Sequence, residues 1–442
     1  MHRHCFVAPL AALALLLAVN APASAAVFIV NSTLDVNEES PGNGSCDPVG
    51  AVGATCTLRA AIQEANALGG SHDVLVASGT YGLTREGIGE DAALTGDLDI
   101  LAEIRIVNGT SNPPLVSAFG NDRVFDVRGG GMLTVENLHV HGGRADAPGN
   151  VHGGGFRVAA GGSLVLQDAI VSTNVGNIGG AIYSDGAVTI SDSELFNNAL
   201  VDDNVALGQA AGAAIFNRGQ LVVERSTLRD NGVVPGGEGL VAAAYAIESS
   251  IGFVADPSVT ITNSTIAENT NGVFSDGVET AIVHASIAAN GARGLRFLRD
   301  LGNPGTVQLQ VHRSVIVGHT GDCNGLVGTD AEYDLRNRSN ASSDSTCGFS
   351  GGSDQQDIDW PFFGELAVQG GNTPVLMPIP GGPLVDAAGV LCLPFEDQRG
   401  TPRPLDGDLD FINACDIGAV EYDADSDPVY GTALFADGFE EL

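Results

Sequence analysis

Apolar and polar residues alternate in short runs through the middle of the chain, and most runs end in asparagine or glycine. They read LTVENLHVHGG, LVLQDAIVSTN, VTISDSELFNN, LVVERSTLRDN, VTITNSTIAEN, AIVHASIAAN and LQVHRSVIVGH. A period of two marks β-strands, and the frequent Gly and Asn keep each strand short. Aligning Val135, Leu166, Ile190, Val223, Ile261, Ile282 and Val311 gives steps of 21 to 38 residues, about 29 on average. Such a repeat marks a solenoid. It is too rich in Gly for a helical repeat, and the leucine spacing of a leucine-rich repeat is missing. The pattern predicts a parallel β-helix. Inward Val, Ile and Leu would stack in columns, with rungs about 4.8 Å apart and a body about 45 Å long.

A second column supports the register. Asn174, Asn198, Asn231, Asn269 and Asn290 each follow a small residue (Ala169, Ser193, Ser226, Ser264, Ala285) by five positions. Asn tolerates the left-handed backbone of a turn, and stacked amides can bond along a ladder, so these residues are assigned a structural role. Gly143 and His319 occupy the column in the first and last repeats. GGGFRVAAGG and NIGGAIYSDG supply sharp bends.

The front of the chain has a different period. CTLRAAIQEANALGG, residues 56–70, places Leu58, Ile62, Ala65 and Leu68 on one helical face. Thr57 is the expected N-cap, and Gly69 and Gly70 stop the helix. A β-helix end exposes apolar columns and unpaired backbone, so this helix is expected to cap it. DVLVASGTYGLT, residues 73–84, would enter the first coil.

CTLRAAIQEAN followed by HDVLVASGTY resembles the N-terminal module of secreted bacterial proteins named after a Cys-Ser-Leu-Arg-Glu-Ala motif. FEDQRGTPRP followed by ACDIGAVEY resembles the choice-of-anchor Q domain that closes many such chains. Both belong with the pectin-lyase-like superfamily. The resemblance implies an all-β, single-stranded right-handed parallel β-helix with a short N-terminal capping helix. It specifies architecture, not activity. Ala60 stands where the motif has Glu, which leaves only half of a capping box. The expected organisation is a signal peptide (1–26), an N-terminal cap (27–71), β-helix repeats (72–345), a final coil with a distal C-terminal cap (346–422) and an acidic flexible tail (423–442).

Export follows from the first residues. Arg3 precedes the apolar run Phe6–Val19, and Ala23-Ser24-Ala25 is a small-x-small cleavage site. Six cysteines remain after cleavage, and an oxidising compartment permits disulfides. Six allow fifteen pairings. Proximity in sequence favours Cys46–Cys56, Cys323–Cys347 and Cys392–Cys415. No C-x-x-C pair supports a metal site instead.

The chain has 54 acidic and 19 basic residues, a formal charge of −35. Nucleic acid is excluded as a partner. Every basic residue is Arg, so Lys chemistry is excluded too. The reading is a monomer at the cell surface or outside the cell, of Gram-negative type from the LFADGFE terminus, facing an extracellular polymer. An anionic polymer would need bridging cations.

Enzyme signatures are sparse. The superfamily's galacturonan hydrolases carry Asp pairs, Gly-His-Gly and Arg-x-Lys; only Asp202-Asp203 is present. The Arg-x-Pro-x-x-Arg pattern of pectate lyases is absent, and RGTPR (399–403) has other spacing. No catalytic residue is assigned. No cofactor is required, and calcium is the one candidate, at Asp406, Asp408 and Asp410. A second acidic run, Asp423, Asp425 and Asp427, also departs from EF-hand spacing. His139 and His141 should leave one face of a strand, with His152 near the next turn; three His could hold a metal, but solubilising residues fit better. One Trp (Trp360) and six Tyr offer few platforms for sugars. The preferred function is non-catalytic adhesion or surface structure, and the alternative is a polysaccharide lyase or glycoside hydrolase. Arg and Asp clustered on one exposed strand face would favour the alternative.

Overall fold

The computed structural model describes residues 25–50, 53–201, 212–234, 244–251, 256–298, 308–325, 333–336, 338–359 and 362–428. Segment 1–24, Asp202-Asp203, Trp360 and the chain beyond 428 lie outside them. Three long parallel sheets run the length of the body. Sheet I has eleven strands, sheet II ten and sheet III nine among the described residues. One coil illustrates the path: Ser163–Gln167 lies in sheet I, Ile170–Ser172 in sheet II and Ile182–Ser184 in sheet III. The next coil then returns to sheet I at Ala187–Ser191.

The aligned apolar positions pair rung to rung. Val135 faces Leu166, then Ile190, Val223, Ile261, Ile282 and Val311 follow in register. All seven are fully buried in one continuous core. The period-two pattern thus sets both strand and facing.

The asparagines form an unbroken ladder. Each amide nitrogen donates to the next amide oxygen, from Asn174 through Asn198, Asn231 and Asn269 to Asn290, at 2.9–3.0 Å. Left-handed backbone is not their contribution, contrary to the turn argument above. Positive φ falls one residue earlier, at Thr173, Asn197, Asp230, Glu268 and Ala289. The Asn side chains turn inward instead, where their donors meet strand carbonyls such as Val171 and Leu195. The preceding small residues make a parallel seam, with Ser193 accepting from Ala169 N and Ser226 from Ser193 N. Gly179 turns the chain into sheet III at φ 71°, and a Cβ there would collide with the Ile182 carbonyl.

Helix α1 spans Leu58–Leu68, and the Thr57 hydroxyl accepts from Ala60 N. Its apolar face joins the core, as a cap requires. Its polar face is covered as well. Arg59 is fully buried against Asp35 and donates to the Ala93, Gly96 and Asp97 carbonyls. Glu64 accepts from Gly42 N and Gly44 N. The loop that carries these groups is pinned by Cys46–Cys56. The N-terminal region also adds a rung: Ala26–Val30 pairs with Ser71–Val76 as the first strand of sheet I. The cap therefore begins inside the solenoid, because a strand at 26–30 completes the sheet above the helix.

The C-terminal region departs most from expectation. It is not a distal cap but a strap along the outer face of sheet II. The Gln398 side chain bonds Thr227 and Thr265, Thr227 Oγ1 donates to Pro374 O, and Ala419 N donates to Ser286 Oγ. Phe362, Phe363, Leu376, Leu384 and Ile417 pack on Ala267, Ala288, Val315 and Val317. Those strands are apolar on both faces, so both must be covered. Cys392–Cys415 ties the strap. At the far end Cys323–Cys347 brings Phe349 into the main core. The acidic tail also starts later than expected, since Asp427 is ion-paired with Arg399 at 2.7 Å.

Candidate functional site

Period two turns the middle residue of each sheet III strand outward. In register along the axis these are Asp99, Asp126, Arg157, Tyr183, Phe216, Glu248, Phe274 and Arg296. Acid, guanidinium and aromatic groups thus occupy one column on successive rungs. The strap lies on sheet II and makes no described contact with this column.

The aromatic members are organised. Tyr183 and Phe216 stack at 5.7 Å, and His152 lies 4.1 Å from Tyr183 on its other side. The Arg218 guanidinium sits 5.5 Å from the Tyr183 ring, and that of Arg296 4.6 Å from Phe274. Tyr183 donates to Asp185, which also holds Arg218 at 2.7 Å. Burial, with Asp185 adding to it, pushes the Tyr183 hydroxyl up to about 12. Burial pushes His152 down to about 4, with Arg157 and Arg123 adding to it. His152 therefore packs as a neutral ring.

Glu248 stands between the two aromatic stretches, flanked in register by Phe216 and Phe274. Burial pushes its carboxyl up to about 8, against the pull of Arg296 and with help from Asp276. It is therefore protonated at neutral pH on a face that also carries an arginine and an exposed acid. A carboxyl kept neutral in this way can donate a proton. At the N-terminal end of the column Asp99 is pushed up to about 7, chiefly by burial. Asp126 beside it is held by Arg128 and Arg157 at 3.1 and 2.9 Å. These two acids are buried and serve the fold.

The residues singled out in the sequence are dispersed. Asp406 and Asp408 come together with Asp386, not with Asp410. Their oxygens accept backbone N–H groups of Asp410 and Phe411, and Asp410 accepts from Ile412, so the run is a set of tight turns. Asp423 likewise accepts from Ser426. Arg399 is tied to Asp397, and Arg403 is buried on Glu421; both anchor the strap. His139 and His141 do share one face, but half-buried rather than exposed, and His152 bridges to Ile178 with its ring packed on Tyr183. The scarcity of Trp and Tyr hid the aromatic column, because two of its rings are Phe and all come from one strand position. The triplets IFN, VFS and IYS just after glycine bends carried the signal.

The family model for the right-handed β-helix region matches residues 124–337. Among solved structures a rhamnogalacturonan lyase is similar at 14% identity and a TM-score of 0.41, covering 70% of this chain and 86% of its own. The pectate lyase Pel9A is similar at 14% identity and a TM-score of 0.46, covering 91% and 98%. No curated protein matches. With its parallel sheets, stacked coils and one helix among the described residues, the chain is a right-handed parallel β-helix.

Proposed function

We propose that the chain binds an extended polysaccharide along the outer face of sheet III, as a protein acting outside the cell. The carrying observation is the column from Arg157 to Arg296, in which aromatic rings and guanidinium groups repeat at rung spacing. Rungs about 4.8 Å apart match the length scale of a pyranose ring. Sugar faces stack on aromatic rings, while Arg recognises carboxylates. Arg157 and Arg218 are ion-paired with Asp126 and Asp185, which leaves Arg296 as the guanidinium of this column best placed to meet an anionic group. The three disulfides, and the resemblance of both chain ends to exported β-helix modules, support an extracellular setting.

Affinity electrophoresis against neutral and uronate polymers tests the proposal. At least one polymer should be retarded, with and without chelator. Phe216→Ala, Phe274→Ala and Arg296→Ala should each weaken binding about tenfold, in keeping with about 1–2 kcal/mol per stacked or charged contact. Binding that ignores all three changes would place the site elsewhere.

Glu248 favours a second reading, in which the bound polymer is also cleaved with this carboxyl as proton donor. Turnover should then fall as pH rises through about 8, where the donor is lost. Glu248→Gln should abolish turnover and leave polymer affinity within a few fold. Folding stability gives an independent check of the same shift. A carboxyl whose proton is held more tightly in the folded chain stabilises it at low pH, and that stability is lost as pH rises from about 4.5 to about 8. Denaturation midpoints of parent and Glu248→Gln should diverge in that window, the variant losing less. Parallel midpoints would contradict the assignment.

A further inference from the structure

We propose that His139 and His141 form a binding site for a divalent transition-metal ion of the copper, nickel or zinc class. The site lies on sheet II and is independent of the polymer-binding face. The two residues lie on the strand His139–His141, two positions apart, so both side chains leave the same face. Their neighbours in register are Leu115–Ser117 on one side and Ile170–Ser172 on the other.

Both rings aim at one point. His139 Nε2 lies 2.7 Å from the Ser172 hydroxyl and His141 Nδ1 lies 3.3 Å from it. The rings meet edge to face with centroids 5.4 Å apart. With one ring's proton on the nitrogen facing Ser172, the hydroxyl accepts from that ring and donates to the other; with both ring protons on the far nitrogens, two lone pairs face one point. An ion placed between the nitrogens satisfies both lone pairs, with bonds of about 2.0–2.1 Å to zinc. Ser172 then bonds a metal-bound water, and solvent completes the coordination.

The ligand set selects the ion. Two imidazoles without a carboxylate suit copper, nickel and zinc, and offer little to calcium or magnesium. The strap reaches back to Asp168, to which Asn372 donates at 2.8 Å, but the His139 and His141 side chains remain half-buried rather than fully covered. The strongly negative chain concentrates cations near its surface.

Titration of the full chain with Cu²⁺ at pH 7, followed by calorimetry and electron paramagnetic resonance, tests the site. We expect one saturable ion with nitrogen hyperfine coupling. His139→Ala and His141→Ala should each weaken it at least tenfold, and the double variant should lose it, with unchanged far-ultraviolet circular dichroism. Other histidines, His312 beside Asp334 among them, also offer nitrogen, so the two variants assign the signal. A bound ion without nitrogen coupling, a site that survives in the double variant, or no saturable binding by the parent would each overturn the proposal. Where a substitution disturbs the sheet, His312→Ala serves as the control: a nitrogen-coupled signal lost with it would overturn the proposal, and one retained would support it.

Discussion

Replacing Asn231 by alanine is expected to destabilise the fold by about 4 kcal/mol, because several buried groups lose their partners together. The Asn231 oxygen accepts from both the backbone N and the side-chain nitrogen of Asn198, each at 3.0 Å. Its nitrogen donates to Leu195 O and to the Asn269 oxygen, each at 2.9 Å. The side chain is about 1% exposed, so water cannot replace these bonds. An orphaned buried polar group costs about 1–3 kcal/mol, and partial relaxation keeps the total below the simple sum. Asn231→Asp separates geometry from chemistry. An ionised carboxylate there would face the Leu195 carbonyl and the Asn269 oxygen with no proton to donate. Its proton affinity in the folded state should rise, so the aspartate variant should recover stability as pH falls. Urea denaturation of parent and variants measures both effects. A loss under about 1 kcal/mol for Asn231→Ala would show that the ladder carries little of the stability.

The second large effect is expected at the strap. Arg403 and Glu421 are both fully buried and paired at 2.9 Å. Arg403 also donates to Gly418 O, while Glu421 accepts from Leu405 N and Asp416 N. Arg403→Ala leaves the Glu421 carboxylate buried without its cation, a change that costs about 3–5 kcal/mol. The damage should centre on residues 362–428, which these bonds hold together. Limited proteolysis should then cut that segment while the coils resist. Changing Arg403→Met and Glu421→Leu together removes both charges and should recover most of the loss. If the double variant is as unstable as the single one, the burial of an unpaired charge is not the cause.

The strap also follows from a change in the character of sheet II along the axis. Glu194 and Arg229 face outward on early sheet II strands, whereas Ala267, Ala288, Val315 and Val317 do so later. The change from charged to apolar is present in the sequence. It says that a second layer is needed there, but not which segment supplies it. Residues 362–428 contain few strands, and their bonds to Thr227, Thr265 and Ser286 join positions 133 or more apart in the chain.

By itself, the sequence determined what repeats. Strand, facing and coil length followed from period-two alternation, because inward positions must be apolar in every rung. The pairing of near cysteines and the capping helix were legible too, since both depend on neighbours in the chain. Tertiary structure decided what stacks across coils. The sheet III column assembles Arg157, Tyr183, Phe216, Glu248, Phe274 and Arg296 from strands separated by coils of unequal length. Unequal loops leave no fixed spacing from which to read that column in one dimension. The raised proton affinity of Glu248 likewise comes from burial and from Asp276 beside it, against the opposing pull of Arg296, and these neighbours exist only once the rungs are in register.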